Sequence, residues 1–326
     1  MKITILDDWY DTLRHLPCFE KLDGHDVTIW NDHVEDVDQL ADRLKDAEAV
    51  CLFRERTPLR KELLERLPNL RIISQRSVYP HIDVEDCTRL GILLSSGQHP
   101  DAPSSATVEL TWTLILAAMR ELPREMASMK AGNWQGGVGR SVKGKTLGIY
   151  GFGRIGSAVA DIAKSFNMNI IAWGTENSQT KAREAGIRVP ESREAFFGEA
   201  DILSLHVRLY PSTRGCITAK DLAGMKPRAL LVNTSRAGLI EPGALQAALE
   251  AGRPGYAAID VHENEPVHDP DYPLLKMPNV LCTPHIGYVT EDEYQVQFTE
   301  IFDQVLAFER GEPINMINPE ALKVGR

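Results

Sequence analysis

The segment Leu147-Gly148-Ile149-Tyr150-Gly151-Phe152-Gly153-Arg154-Ile155-Gly156 constrains the fold more than any other part of the chain. An apolar strand runs straight into three glycines spaced G-x-G-x-x-G, and a helical stretch follows. Each glycine has its own task in such a turn. Gly151 permits the tight reversal, Gly153 lets the backbone approach a pyrophosphate, and Gly156 lets the helix pack closely on the strand. The helix N-terminus then offers N–H groups and a positive dipole end to an anion. A glycine triplet alone is a weak signal. Set between strand and helix it predicts dinucleotide binding, with Phe152, Arg154 and Ile155 beside the glycines in the contact.

The pattern around this loop is α/β. Short apolar runs at Ile3–Leu6, Val27–Trp30, Ala49–Phe53, Arg71–Ser74 and Ile92–Leu94 alternate with helical spacing at Val37–Lys45, Leu59–Leu67 and Val84–Leu90. Such alternation predicts parallel βαβ units. A second series starts at Lys145, with strands expected at Thr146–Tyr150, Asn169–Trp173, Ile202–Leu205, Ala229–Asn233, Ala257–Val261 and Val280–Cys282. At 326 residues the chain is long for one core. The expected fold is two doubly wound parallel-sheet domains: a Rossmann nucleotide-binding domain over 101–290, and a smaller flavodoxin-like substrate domain. The turn formers of Ser96–Pro103 suggest a linker, and one long helix is expected from Ser104 to Met129. The amphipathic stretch Glu291–Arg310 is expected back on the first domain, which would then be discontinuous, 1–100 and 291–326.

The formal net charge of −10 disfavours nucleic acid and anionic membranes as partners. Five cysteines, an odd number without a Cys-x-x-Cys, suggest buried free thiols in a reducing compartment and no metal site. The start, Met1-Lys2-Ile3-Thr4-Ile5, resembles a strand and not a signal peptide, and no apolar run is long enough to span a bilayer. A cytoplasmic location is therefore expected.

Three further segments end predicted strands: Asn233-Thr234-Ser235-Arg236-Ala237-Gly238, Asp260-Val261-His262-Glu263-Asn264-Glu265-Pro266, and Thr283-Pro284-His285-Ile286-Gly287. In a doubly wound sheet the strand C-termini form the ligand crevice. Arg236, Glu265 and His285 thus form a candidate catalytic set for keto-acid reduction. Arg236 would grip a carboxylate bidentately, His285 would act as general acid, and Glu265 would hold the imidazole. The second strand of a nucleotide domain that prefers NAD should end in an acidic residue. Here that place falls at Gly174. Glu176 can substitute, while Lys181 and Arg183 would suit NADP; NAD is the expected cofactor, with NADP not excluded.

The segments Gly151–Gly156, Asn233–Gly238, Asp260–Pro266 and Thr283–Gly287 resemble those of the D-isomer-specific 2-hydroxyacid dehydrogenases. The resemblance implies that Arg236 binds substrate, Glu265 orients His285, and His285 is the acid/base. It also implies that Asp260 contacts the nicotinamide amide, that His206, Thr213, Thr234 and Ser235 line the cofactor with Gly174 and Gly287, and that the protein is a homodimer joined through its nucleotide domains. The helix from Ser104 would fit that contact. The implied activity is NAD(P)H-dependent reduction of a small 2-keto acid to a D-2-hydroxy acid, of the glyoxylate or hydroxypyruvate reductase kind. Phosphoglycerate dehydrogenase activity and non-catalytic NAD(H) sensing are the alternatives. Three departures stand out. Arg208 replaces a usual Pro, Ala237 replaces a usual Gly, and Gln75-Arg76-Ser77-Val78-Tyr79-Pro80-His81 replaces the glycine turn that holds the substrate carboxylate. Arg76, Ser77 and Val78 are the substrate-binding candidates there. Arg76, Tyr79 and His81 either bind a second polar group on the substrate or merely cap and pack the turn. Trp134 either shields a cleft or packs at a dimer contact. Domain closure with hinges near Gly97 and Thr290 is also expected.

Overall fold

The computed structural model describes residues 1–97 and 105–324. The chain divides into two compact units, Met1–Ala102 with Thr290–Arg326, and Pro103–Val289.

The first unit is built on a parallel sheet of β1 (Lys2–Ile5), β2 (Asp26–Ile29), β3 (Ala49–Cys51), β4 (Ile72–Arg76) and β5 (Leu93–Gly97), in the order β2-β1-β3-β4-β5. Its central strand β3 is apolar and buried throughout, and β4 is buried over Ile72, Ile73, Ser74 and Gln75, as strands covered on both faces are. The crossover helix Val37–Leu44 is started by Asp36, whose carboxylate accepts from the Gln39 N–H at 2.9 Å. The last long helix, Glu291–Glu309, packs on this sheet through Phe298, Ile301, Phe302 and Val305. Buried bonds hold it there: Ser74 Oγ donates to the Ile301 carbonyl at 2.7 Å, and Gln304 Nε2 donates to the Gln75 carbonyl at 3.0 Å and to Ser74 Oγ at 3.1 Å.

The second unit carries β6 (Thr146–Tyr150), β7 (Asn169–Trp173), β8 (Ile202–Leu205), β9 (Leu230–Asn233), β10 (Tyr256–Ile259) and β11 (Val280–Cys282). They form a parallel sheet ordered β11-β10-β9-β8-β6-β7. The order reverses between β6 and β8, so the glycine loop after β6 opens at the switch point, where doubly wound sheets bind ligands.

Three expectations need correcting. The single helix expected over Ser104–Met129 is two, Ser105–Met119 and Leu122–Lys130. Between them Glu121 adopts a left-handed φ of 52°. Pro123 causes the break, because it lacks an N–H for the carbonyl of Met119 four residues back and its ring would clash with that carbonyl, so the first helix ends there. The expected linker Ser96–Pro103 begins inside β5, whose pairing with β4 continues through Arg76 and Gly97; residues 98–103, like Ser104, lie outside the described residues. Of the five cysteines, all free, Cys18, Cys51 and Cys87 are buried, whereas Cys216 and Cys282 are only partly so. Burial pushes the Cys51 thiol up to about 12 and the Cys282 thiol up to about 11, so both stay protonated.

Candidate active site

The glycine loop has the backbone geometry its sequence demands. Gly151 sits at φ 99°, and a Cβ there would lie 2.6 Å from the His206 carbonyl oxygen. A Cβ on Gly156 would lie 2.3 Å from the Gly151 carbonyl oxygen, so the helix Arg154–Ser165 could not approach. A Cβ on Gly153 would meet nothing within 4 Å, which leaves room beside the backbone for a ligand, and no side chain caps the helix start. These features fit a dinucleotide pyrophosphate. Two loop N–H groups are committed internally: Gly151 donates to the Trp173 carbonyl at 2.8 Å and Phe152 to Ser178 Oγ at 2.6 Å. The latter bond explains the glycine ending β7. Gly174 adopts φ 151°, and a Cβ there would lie 2.9 Å from the same Ser178 oxygen. Glu176 stands in the first turn of the helix Glu176–Glu184, where Arg183 Nη1 reaches its Oε1 at 3.2 Å. Arg183 therefore opposes a carboxylate on its own helix.

The remaining cofactor candidates lie along the same strand ends. His206 follows β8, its Nε2 2.9 Å from Ser204 Oγ, and loss of solvation lowers its pKa to about 4, so the ring is neutral. Thr213 is occupied in its own turn: it accepts from the Tyr210 N–H at 2.7 Å and its hydroxyl lies 2.7 Å from the Arg208 carbonyl. Thr234 and Thr111 share a hydrogen bond of 2.9 Å, and Ser235 Oγ donates to the Leu205 carbonyl at 3.0 Å. Buried Asn233 shapes the loop ahead of Arg236, accepting from the Ser235 N–H and donating to the Arg236 carbonyl, both at 3.0 Å. Arg236 Nη1 donates to the Ser235 carbonyl at 2.8 Å.

Past β10 and β11, one carboxylate organises the chain. Asp260 is fully buried and accepts from Thr283 Oγ1 at 2.6 Å, from the Ile286 N–H at 2.8 Å and from the Gly287 N–H at 2.8 Å. Burial raises its pKa more than these three donors lower it. A Cβ on Gly287 would sit 3.1 Å from Asp260 Oδ2, so the site favours glycine. Next to this anchor, His285 Nδ1 lies 2.6 Å from Glu265 Oε2. Burial alone would raise the Glu265 pKa, but the hydrogen bond and charge of His285, then the His262 N–H, reverse this and leave it lowered. Glu265 is thus an ionised partner for the imidazole. His285 holds a left-handed φ of 54°, a conformation that costs a non-glycine residue about 1–2 kcal/mol. Its backbone N–H donates to the Thr283 carbonyl at 3.0 Å.

A family model for the D-isomer-specific 2-hydroxyacid dehydrogenase NAD-binding domain matches residues 112–287, more than half of the chain. The chain belongs to the D-isomer-specific 2-hydroxyacid dehydrogenases. Its nucleotide unit is accordingly the NAD-binding domain of such an oxidoreductase. The chain is 37% identical to a glyoxylate reductase of Thermococcus litoralis, over 80% of this chain and 81% of that one. It is also 37% identical to a D-3-phosphoglycerate dehydrogenase of Methanocaldococcus jannaschii over 89% of its own length, but spans only 56% of that longer relative. A crystal structure of phosphoglycerate oxidoreductase from Vibrio cholerae superimposes with a TM-score of 0.91 at 47% identity, covering 95% of this chain and 99% of that one.

The substrate loop of the first unit differs from expectation. Arg76 Nε lies 2.9 Å from Glu300 Oε2, with the side chains only 18% and 16% exposed, and Asn315 Nδ2 donates to Glu300 Oε1 at 3.2 Å. Arg76 is therefore bound to the last long helix. Ser77 has φ 79°, and its N–H donates to the Gly97 carbonyl at 2.9 Å, because the β4–β5 ladder continues past the expected ends Ser74 and Leu94 to Arg76 and Gly97. His81 is buried, its two ring nitrogens have no hydrogen-bond partner among the described residues, and burial brings its pKa down to about 4. Tyr79 packs against the apolar core of the same unit. His81 and Tyr79 thus follow the packing alternative. Sequence reasoning assigned no role to Ser178 or to His262. The serine carried no local signal, because its contact with the glycine loop exists only once β6 and β7 pair.

Proposed function

We propose that the protein reduces a small 2-keto acid of the glyoxylate or hydroxypyruvate kind to the D-2-hydroxy acid, using NADH. The Glu265–His285 pair carries this reading. The carboxylate engages Nδ1, so Nε2 is the ring position left to exchange a proton with substrate. When bound, the reduced nicotinamide supplies the hydride. Arg236 grips the substrate carboxylate and polarises the adjacent carbonyl. The proton on His285 Nε2 goes to the carbonyl oxygen, and Glu265 stabilises the cationic imidazole before transfer. Gly151, Gly153, Gly156 and the N–H groups of Arg154 and Ile155 form the pyrophosphate cradle, with Phe152 beside it. His206, Thr213, Thr234, Ser235, Asp260, Gly174 and Gly287 line the rest of the cofactor. The Glu176 charge favours NADH by repelling a 2′-phosphate. Ser77 and Val78 stay the substrate-binding candidates of the first unit, while Arg76 holds the turn through Glu300. The protein works in the cytoplasm as a homodimer.

The test follows loss of NADH absorbance, and separately of NADPH, with glyoxylate, hydroxypyruvate, pyruvate and phosphohydroxypyruvate. Turnover that His285→Asn abolishes while NADH still binds is the expected result. Preference for phosphohydroxypyruvate would move the protein to the phosphoglycerate dehydrogenases. Binding of NADH without turnover of any keto acid would leave a nucleotide sensor.

A further inference from the structure

His262 lies between the two halves of the Glu265–His285 pair and touches the support of each. Its backbone N–H donates to Glu265 Oε1 at 2.7 Å, the oxygen that His285 does not use. Its ring Nε2 lies 3.0 Å from the Thr283 carbonyl. A carbonyl can only accept, so Nε2 carries the hydrogen and the tautomer is fixed. The same Thr283 carbonyl accepts the backbone N–H of His285, the residue held at φ 54°. The imidazole therefore grips the one backbone oxygen that anchors the left-handed turn presenting His285.

Its surroundings argue against simple space filling. The ring meets Tyr272 edge-on at 5.6 Å, a contact that any aromatic side chain could make. Nδ1 is buried with no hydrogen-bond partner among the described residues. An imidazole with one orphaned nitrogen is a costlier filler than phenylalanine, which would bury no polar atom. The bond from Nε2 is what phenylalanine could not supply.

We infer that His262 is a positioning residue for the reaction, fixing through the Thr283 carbonyl the backbone turn that aims His285 at substrate, while its N–H fixes Glu265. This rests on the acid/base role of His285 proposed above. The hydrogen bonds to Glu265 agree, since those of the His285 ring and the His262 N–H both favour its ionised form against the burial that opposes it.

The test compares His262→Phe, which keeps the ring packing and the backbone N–H, with His262→Gln, whose amide can still donate to the carbonyl. The assay is NADH-dependent reduction of whichever panel keto acid the wild type turns over fastest. His262→Phe is expected to lower kcat about 10- to 100-fold, the scale of a small misplacement of a reacting group. KM for NADH should stay within about twofold, because the pyrophosphate cradle is elsewhere, and the alkaline limb of the kcat/KM profile should move to lower pH as the His285 turn slackens and the ring drifts from Glu265. Gln should restore most of kcat and return the limb. An unchanged kcat and pH profile in the Phe variant would overturn the inference. So would a loss of kcat with an unshifted limb that Gln does not rescue, which is the signature of a purely structural role. If the Phe variant does not fold, Gln decides alone: kcat near wild type supports the inference, and a tenfold loss with an unshifted limb overturns it. His285→Asn is run alongside. Should that variant turn over, the role of His285 fails, whatever His262 does.

Discussion

Arg236 and Glu265 belong to the same proposed step but should fail differently. Arg236→Ala removes the bidentate grip on a carboxylate that is present in substrate and transition state alike. KM for the keto acid should rise by at least about 10-fold, the weight of one charge-assisted hydrogen bond, with kcat falling further because the carbonyl is no longer polarised. Arg236→Lys should recover charge but not the fork, and so only part of KM. Glu265→Gln leaves an amide that can still accept from Nδ1 but carries no charge. Reduction needs His285 protonated, so it is active on the acid side and is lost as pH rises; oxidation of the hydroxy acid runs the opposite way. Without the Glu265 charge the cationic imidazole is less favoured, so the pH at which reduction fails should fall, and oxidation should persist to lower pH. Steady-state pH profiles in both directions check this. A Gln variant with both limbs unmoved would show that the 2.6 Å contact orients the ring without stabilising its charge.

The contact between β5 and the last long helix is set by a glycine. A Cβ on Gly97 would fall 1.6 Å from Glu300 Oε1, so Gly97→Ala must push the carboxylate off Arg76. Because Arg76 and Glu300 are largely shielded, separating them should cost about 1–3 kcal/mol, the range for hydrogen bonds to charged groups and for leaving one partner unsatisfied. Arg76→Met should destabilise by a similar amount, and the double variant by little more than either alone, as expected for groups sharing one interaction. Urea denaturation of all three checks the coupling; full additivity would mean that Arg76 acts elsewhere, for instance on substrate. This pair marks where the sequence stops being legible. Most strands were readable, because parallel strands buried on both faces are largely apolar runs, but β5 runs on to Gly97 past the expected end at Leu94, through two serines that carry no apolar signal. The sites of Arg236, Glu265 and His285 were readable because each follows such a run. Arg76 was not, because its partner lies in a helix far along the chain, and nothing near Arg76 announces Glu300. The break at Glu121 was written in Pro123 but masked by an apolar stretch that ran through it.

At the scale of the whole molecule, burial narrows the stretch on which the proposed contact between copies can fall. The stretch Ser104–Met129 was the sequence's candidate for a subunit interface, and within it the apolar side chains of the helix Ser105–Met119 serve its own unit. Val108, Trp112, Leu114 and Ile115 are buried there, and the Trp112 indole donates to the Val159 carbonyl at 3.2 Å. The next segment is different. The helix Leu122–Lys130 buries none of its residues, and Met126, Met129, Trp134 and Val138 all stand out, with Trp134 76% and Val138 91% exposed. Large apolar side chains grouped along one stretch of chain mark an interaction surface more than scattered ones do. A second copy of the same chain is the natural occupant, since an isologous contact lets one such arm bury its counterpart. Trp134→Asp combined with Val138→Asp places two charges in that contact, where they would be buried unpaired. Light scattering should then show the dimer mass of the wild type replaced by monomer, with far-ultraviolet circular dichroism unchanged because neither residue supports its own unit. A wild type that is monomeric at micromolar concentration would remove the dimer. A variant that stays dimeric would place the contact on another face of the nucleotide unit.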